Sequence, residues 1–150
     1  MFRQSSLDTI EDRILWSLPF ISGTWFFADG SKTTSGNGRT PATAVATFLE
    51  AYNKCTTGRG DGICVISRSI SGTSYSLKLD AALSWTKYGI TVIGITAPTG
   101  FFGRARIWTD TSMASLITVS GQNNRFINLT ISQEGSVNTN IRNVIVTGNR

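Results

Sequence analysis

The sequence predicts an all-β protein made by stacking short strands, and three observations predict it. Hydrophobic residues make up 40% of the 150 positions and charged residues only 15%, while Gly, Ser, Thr and Asn are plentiful. That is the composition of an ordered, turn-rich chain, neither a disordered tail nor a charged helical bundle. Short strand-like runs return along the chain: "GICVIS" at 62–67, "SYSLKL" at 74–79, "GITVIGIT" at 89–96, "ARIW" at 105–108, "SLITVS" at 115–120, "RFINLTIS" at 125–132 and "NVIVTG" at 143–148. The runs also repeat one another. Ile90, Ile93 and Ile95 recur as Phe126, Leu129 and Ile131 at an offset of 36 residues, and the run from Ile117 recurs from Val144 at an offset of 27. Offsets of this size indicate stacked units, and their inequality argues against a propeller or a leucine-rich solenoid of fixed period. A parallel β-helix accommodates them, because its coils differ by the loops pushed out at their corners.

Residues 1–22 read as an N-terminal arm. Ser5 or Ser6 caps a short amphipathic helix, Asp8 supports its first turn, Leu7, Ile10, Ile14 and Leu18 fall on one stripe, and Pro19 ends it. The stripe either packs on the chain's own body or docks on another subunit; the segment precedes the main body, and the expectation adopted is a docking arm. Acids and arginines come too early for a secretory leader, so synthesis in a cytoplasm is expected, and no stretch is long enough to span a bilayer.

Residues 23–60 read as a short aromatic strand at "WFF", a Gly/Ser/Thr/Asn loop and a helix. Thr40 is the expected N-cap, Pro41 the first helical residue, Ala44, Val45, Phe48, Leu49 and Tyr52 the apolar face, and Gly58 the stop. A helix placed before a run of strands suits capping of an exposed sheet end. Residues 61–150 are the coils, with "GQNN" at 121–124 and "GNR" at 148–150 as corners where Asn or Thr can stack. The chain reaches Arg150 partway through a repeat, so the last coil is expected to be incomplete, its end covered by further coils or by another chain.

The chemistry-bearing residues are sparse. There are 14 Lys and Arg against 9 Asp and Glu and no His. The cations are scattered with no run of three, which argues against a phosphate-binding face, and the absent histidine removes the commonest general base and metal ligand. Cys55 and Cys64 fit neither a zinc knuckle nor a redox pair; Cys64, inside "ICVI", reads as a buried thiol, with a disulfide to Cys55 left open. Asp80, Asp110 and Glu134 lie about one coil or more apart. Neighbouring coils could bring Asp110 and Glu134 together, but they read as solvated corner acids rather than as a glycosidase pair. Arg59-Gly60-Asp61 is an adhesion tripeptide by composition and a tight turn into "ICVIS" by context; the turn is the expectation. Asn128-Leu129-Thr130 matches a glycosylation sequon but sits in an expected strand. Trp25-Phe26-Phe27 and Phe101-Phe102 are expected to cover the stack rather than bind sugars.

The order "WFFADGSKTTSGNGRTPATAVATFLEAYNKC", "GRGDGICVISRS", "YGITVIGIT", "LITVSGQNNRFINLTIS" resembles the N-terminal part of right-handed parallel β-helix proteins of the pectate-lyase-like superfamily, as found in bacteriophage virion proteins and surface-polysaccharide enzymes. The resemblance covers roughly residues 24–150. It implies an all-β right-handed parallel β-helix with an N-terminal amphipathic helix and a capping helix, and Gly60-Asp61 as the turn into the first rung. It implies a structural virion protein, either a capsid-associated decoration or fibre protein or the base of a tailspike, attached through its N-terminal segment to other capsid or tail proteins. The alternative is a polysaccharide-degrading lyase or glycosidase whose catalytic coils lie beyond Arg150. No catalytic residue, cofactor or metal is expected within these residues; nor is a nucleic-acid or membrane partner, while a polysaccharide ligand remains compatible. Phage relatives suggest a trimer. Light scattering on the purified protein is therefore expected to report a homo-oligomer, and a stable, soluble monomer would count against it.

Overall fold

A computed structural model of the protein describes residues 18–97, 104–134 and 142–147. Eleven strands and one helix are assigned among these residues: β1 (Trp25–Asp29), α1 (Phe48–Lys54), β2 (Gly62–Ile70), β3 (Thr73–Tyr75), β4 (Leu77–Lys78), β5 (Leu83–Trp85), β6 (Thr91–Ala97), β7 (Ala105–Thr109), β8 (Ser115–Val119), β9 (Arg125–Ile127), β10 (Leu129–Gln133) and β11 (Arg142–Val146). The protein is all-β, and its strands form three sheets. The first has the order β1-β2-β6-β9, the second β4-β7-β10 and the third β5-β8-β11. Every pairing is parallel except that of β3, which folds back antiparallel on the far end of β2. From β2 onward, leaving that hairpin aside, the chain visits the first, second and third sheets in the same order three times.

The corner from the third sheet back to the first sets the register. Gly62, Thr91 and Arg125 are paired as strand starts, and the residue two positions before each has a positive φ: 76° at Gly60, 70° at Gly89 and 55° at Asn123. Left-handed backbone is open to Gly and tolerated by Asn, so the same bend is made by the two residue types that allow it. The bends stack through backbone hydrogen bonds: Thr91 N donates to Asp61 O (3.0 Å), Arg125 N to Ile90 O (2.9 Å) and Gly89 N to Gln122 O (3.0 Å). Asn124 adds side-chain bonds to the level below, accepting from Ile90 N at 3.0 Å and donating to Lys87 O at 2.9 Å. The expected corner at "GQNN" is present. The one at "GNR" lies outside the described residues.

Alternation along the strands makes two apolar layers. Phe26, Ala28, Ile63, Val65 and Val92 of the first sheet point inward to Leu77, Ala105 and Ile107 of the second and Ile117 and Val119 of the third. Trp85 stands fully buried among them, with the rings of Phe48 at 6.1 Å, Tyr52 at 4.6 Å and Phe126 at 5.2 Å. The outward residues of the first sheet, Phe27, Cys64, Ile66, Ile93 and Ile95, form a second buried cluster, against which Leu18 and Trp25 pack. A sheet covered on both faces reads as continuous apolar runs, and "ICVI" and "TVIGI" are such runs.

Helix α1 differs from the sequence expectation. It begins at Phe48, with Thr47 as N-cap and a capping box completed by Glu50, the Thr-x-x-Glu signature that makes a stronger start than Thr40-Pro41. Thr40 and Pro41 instead form turns, and Val45 lies extended beside β1 as an isolated bridge to Ala28. Gly38 and Val45 occupy the outer edge of β1, with Phe27 N donating to Gly38 O at 2.8 Å and Asp29 N to Val45 O at 2.9 Å. Phe48, Ala51 and Tyr52 are buried, whereas Leu49 is exposed. Capping by this segment therefore has two parts, a helix over the core and a loop along the strand edge. Lys87 closes the helix C-terminus, its Nζ donating to Tyr52 O and Cys55 O, both at 2.7 Å, where a cation complements the helix dipole.

Two of the expected strands are each divided in two. "RFINLTIS" is two strands, because Asn128 has a φ of 53° and turns the chain from the first sheet into the second. Ile93 accordingly pairs with Ile127, not Leu129, and Leu129 pairs with Ala105. "SYSLKL" is likewise divided into β3 and β4, and β5 is a three-residue strand with no run long enough to mark it. The offset of 27 holds: Val144 pairs with Ile117 and Val146 with Val119. The expected N-terminal helix lies outside the described residues except for Leu18 at its end.

Gly89→Ala forces a Cβ into left-handed backbone without a steric clash, its nearest neighbour being Gly58 Cα at 3.7 Å. It is expected to cost about 1–2 kcal/mol in chemical denaturation, whereas Asn123→Gly should be neutral or slightly stabilising. Equal effects at the two positions would contradict the shared corner.

Candidate functional site

The outward faces of the sheets are chemically unlike, and among the described residues the second carries a group of charged and aromatic side chains. Its inward residues Leu77, Ala105 and Ile107 are buried in the core, so alternation turns Lys78, Arg106, Trp108, Thr130 and Ser132 outward. Register aligns Lys78 with Trp108 and Trp108 with Ser132, and places Arg106 beside Thr130. Two residues after Lys78, Trp108 and Ser132 come Asp80, Asp110 and Glu134, so the three acids leave the sheet at equivalent positions of successive levels. Glu134 N donates to Thr109 O at 2.7 Å, and Leu79 N to Trp108 O at 2.8 Å. The expectation that neighbouring coils could bring Asp110 and Glu134 together extends to Asp80, all three standing at one end of one sheet.

The acids are paired with cations. Lys78 Nζ lies 3.1 Å from Asp80 Oδ1 and 3.0 Å from Asp110 Oδ2, and Arg106 pairs with Glu134 while its Nε donates to Ser132 Oγ at 3.1 Å. Lys78 Nζ and Arg106 Cζ stand 5.9 Å and 5.5 Å from the Trp108 ring centroid. The hydrogen bond from Lys78 pulls the Asp110 carboxyl below its ordinary range, and the hydrogen bonds to Asp110 and Asp80 raise the Lys78 ammonium. A glycosidase needs one carboxyl held protonated near neutrality, and Asp110 is shifted the other way. Among the described residues no group of three His, Cys, Asp or Glu is placed to hold a metal ion.

Of the four expected docking residues, Leu7, Ile10 and Ile14 lie outside the described residues. Leu18 packs with Trp25 against the outer cluster of the first sheet. The segment that follows is tied to the body: Ser22 Oγ donates to Arg59 O at 3.2 Å and Gly23 N to Gly60 O at 3.0 Å. Phe20 beside it is 97% exposed, at the mouth of a depression lined by Leu18, Ile21, Trp25 and Arg39. Phe101-Phe102 lie outside the described residues, while Phe26 and Phe27 are buried.

The Arg-Gly-Asp tripeptide is a structural clip. The Asp61 carboxylate is fully buried. It accepts from Thr24 N at 2.8 Å, from Thr56 N at 2.7 Å and from Arg59 Nε and Nη2, both at 2.7 Å, so it joins the entry to β1, the exit from α1 and the start of β2. Cys55 and Cys64 are free and buried; burial pushes the Cys55 thiol up to about 12 and the Cys64 thiol higher still, which leaves both poor nucleophiles. Asn128 donates through Nδ2 to Gly94 O at 2.9 Å, so the sequon amide serves the corner. No helix among the described residues is long and apolar enough to cross a membrane.

Comparisons with protein-family models, with curated proteins and with solved structures find no significant match.

Burial raises the Asp61 pKa, but the Arg59 and backbone hydrogen bonds outweigh it and the net shift is downward. The clip is therefore fully stabilising above the ordinary aspartate value of 3.8 and is lost as the pH falls through the lower native value. Asp61→Ala is expected to cost about 3 kcal/mol at neutral pH and to flatten the acid limb of a stability-against-pH profile. An unchanged acid limb would show that the clip carries no such linkage.

Proposed function

We propose that the protein is a right-handed parallel β-helix that serves as a structural component of a bacteriophage particle, as a capsid decoration or fibre protein or the base of a tailspike, held through its N-terminal segment. The observation that carries the fold is the repeated visit to three parallel sheets with one left-handed corner at Gly60, Gly89 and Asn123. Parallel crossovers within a sheet are right-handed almost without exception, which gives the hand. The capped first level, with α1 and the Gly38 and Val45 edge, and the later strands β9, β10 and β11, each with one partner, give the stack a direction.

The virion assignment rests on the resemblance over residues 24–150, and attachment through the N-terminus is supported by the exposed Phe20 beside the apolar depression. Leu18, Ser22 and Gly23 are held on the body, so the docking contact is proposed to come from the Leu7, Ile10, Ile14, Leu18 stripe with the exposed Phe20 beside it. The trimer rests on the resemblance alone. The alternative, a polysaccharide-degrading enzyme with its catalytic coils beyond Arg150, gains no support from the acids described, because Asp80, Asp110 and Glu134 pair with Lys78 and Arg106 and the Asp110 carboxyl is shifted downward. Purified particles from the source phage should contain the chain, and a gene lacking residues 1–17 should yield folded protein that particles no longer carry. Particles without the chain, or full incorporation of the truncated form, would refute the assignment.

A further inference from the structure

We infer that in the free protein the stripe Leu7, Ile10, Ile14 and Leu18 lies as a strap across the outward face of the first sheet, and that attachment to a partner lifts it off. What lifts the strap rests on the reading of the N-terminal segment as a docking arm; its closed position does not. The face beneath it is an apolar layer. Phe27, Cys64, Ile66, Ile93 and Ile95 point away from the core, and Cys64, Ile66 and Ile95 are fully buried. Among the described residues the other apolar side chains packed with them are Trp25, Ala44 and Leu18. Trp25 belongs to β1, Ala44 precedes the residue that is bridged to β1, and Leu18 lines one depression with Trp25 and Phe27. All three stand on the β1 side of the layer, whereas Ile93 and Ile95 lie two strands farther on, about 10 Å away.

The leader has the length and the pattern to cover the rest. Leu18 is the last member of the stripe and is already seated, so one end of the strap is fixed. Steps of four, four and three residues lead back to Leu7, and in a helix they rise about 16 Å in all. The four strands β1, β2, β6 and β9 span about 14 Å. A helix running across them from Leu18 brings Ile14 over Cys64 and Ile66, Ile10 over Ile93 and Ile95, and Leu7 toward Ile127, one apolar side chain to each strand. Register places Phe27, Cys64, Ile93 and Ile127 in a single row across the four strands. Exposure along that row is 1%, 0%, 3% and 39%, so burial fades at the strand where the stripe ends.

Opening needs a partner that binds the lifted state better than the closed one, because a ligand shifts an equilibrium only by its differential affinity. Phe20 supplies the difference. It is 97% exposed beside the seated Leu18, so a partner that receives the stripe and Phe20 together buries a side chain that the sheet leaves in water. The closed strap also keeps the stripe and the layer beneath it from presenting an exposed apolar patch before that partner is met.

The two native thiols report the closed position in the full-length protein without any particle, because Cys64 belongs to the outer layer and Cys55 to the inner core. Ile10→Asp combined with Ile14→Asp is expected to speed native-state alkylation of Cys64 by iodoacetamide at least about tenfold, while Cys55 stays as slow as in the parent. Ile14→Cys is the milder variant: a short bifunctional thiol reagent should join its thiol to Cys64 within one chain. Three results would overturn the inference. Unchanged protection of Cys64 in the first variant would give the cover to another segment, such as Phe101-Phe102 after β6; equal acceleration at both thiols would show that the leader supports the whole body rather than one layer. In the Ile14→Cys variant, no link to Cys64, or a link formed only between chains, would remove the stripe from its own sheet. A closed strap in a protein that particles do not carry would leave the inference standing and refute the docking assignment alone.

Discussion

The structure depends on one backbone constraint, the left-handed bend that returns the chain from the third sheet to the first. At Gly60, Gly89 and Asn123 it falls in the same place relative to the strand that follows. A register error of one residue would turn every side chain of that strand to the opposite face. Fixing the bend fixes Ile63, Val65 and Val92 inward and Cys64 and Ile93 outward together. Asp61 secures the first of these corners with a buried carboxylate, and Asn124 secures the third with an amide. The change from acid to amide follows the surroundings: Asp61 has Arg59 beside it, whereas Asn124 must both accept from Ile90 and donate to Lys87.

Burial on both sides of the first sheet distinguishes it from the other two and explains where the chemistry lies. Its outer layer holds Phe27, Cys64, Ile66, Ile93 and Ile95. It also holds the buried Asp29, whose Oδ1 accepts from Ser31 N at 2.9 Å and Ser31 Oγ at 2.7 Å. Arg68 Nη2 stands 2.7 Å from Asp29 Oδ2, an ion pair in distance without the alignment of a hydrogen bond. Among the described residues no such apolar layer covers the second sheet, which carries Trp108 and its charged neighbours outward. The apolar inward face of the stack is continuous through Trp85, from α1 to Phe126. Phe126, Ile127 and Val146 remain exposed at the far level.

Much of this was legible in the sequence because apolar runs and Gly or Asn turns leave periodic traces. The all-β class, the parallel stacking and the pairing of Val146 with Val119 follow from such traces. Boundaries set by a single residue were less visible. Asn128 looks like part of a strand until its positive φ is known, and the match of Ile93 with Leu129 failed by the two residues that this corner shifts. The helix start was misplaced because Thr40-Pro41 and Thr47-Phe48-Leu49-Glu50 are both start signals, and hydrogen bonding of Val45 to β1 decided between them. The column of Asp80, Asp110 and Glu134 is only partly visible in the sequence, for a different reason. Its members come together only through the register of β4, β7 and β10, while their spacing along the chain is unequal.

Successive circuits lie directly over one another in parallel register. Ser84 and Thr118 are paired between β5 and β8, and Cys55 and Cys64 are buried thiols that should not compete for reagent. A protein carrying Ser84→Cys and Thr118→Cys, treated in its native state with a short bifunctional thiol reagent, is expected to form one intramolecular cross-link between these two positions, identified by peptide mapping. A Ser84→Cys, Ser132→Cys control should form none. No cross-link in the first protein, or equal cross-linking in both, would contradict the stacked parallel register.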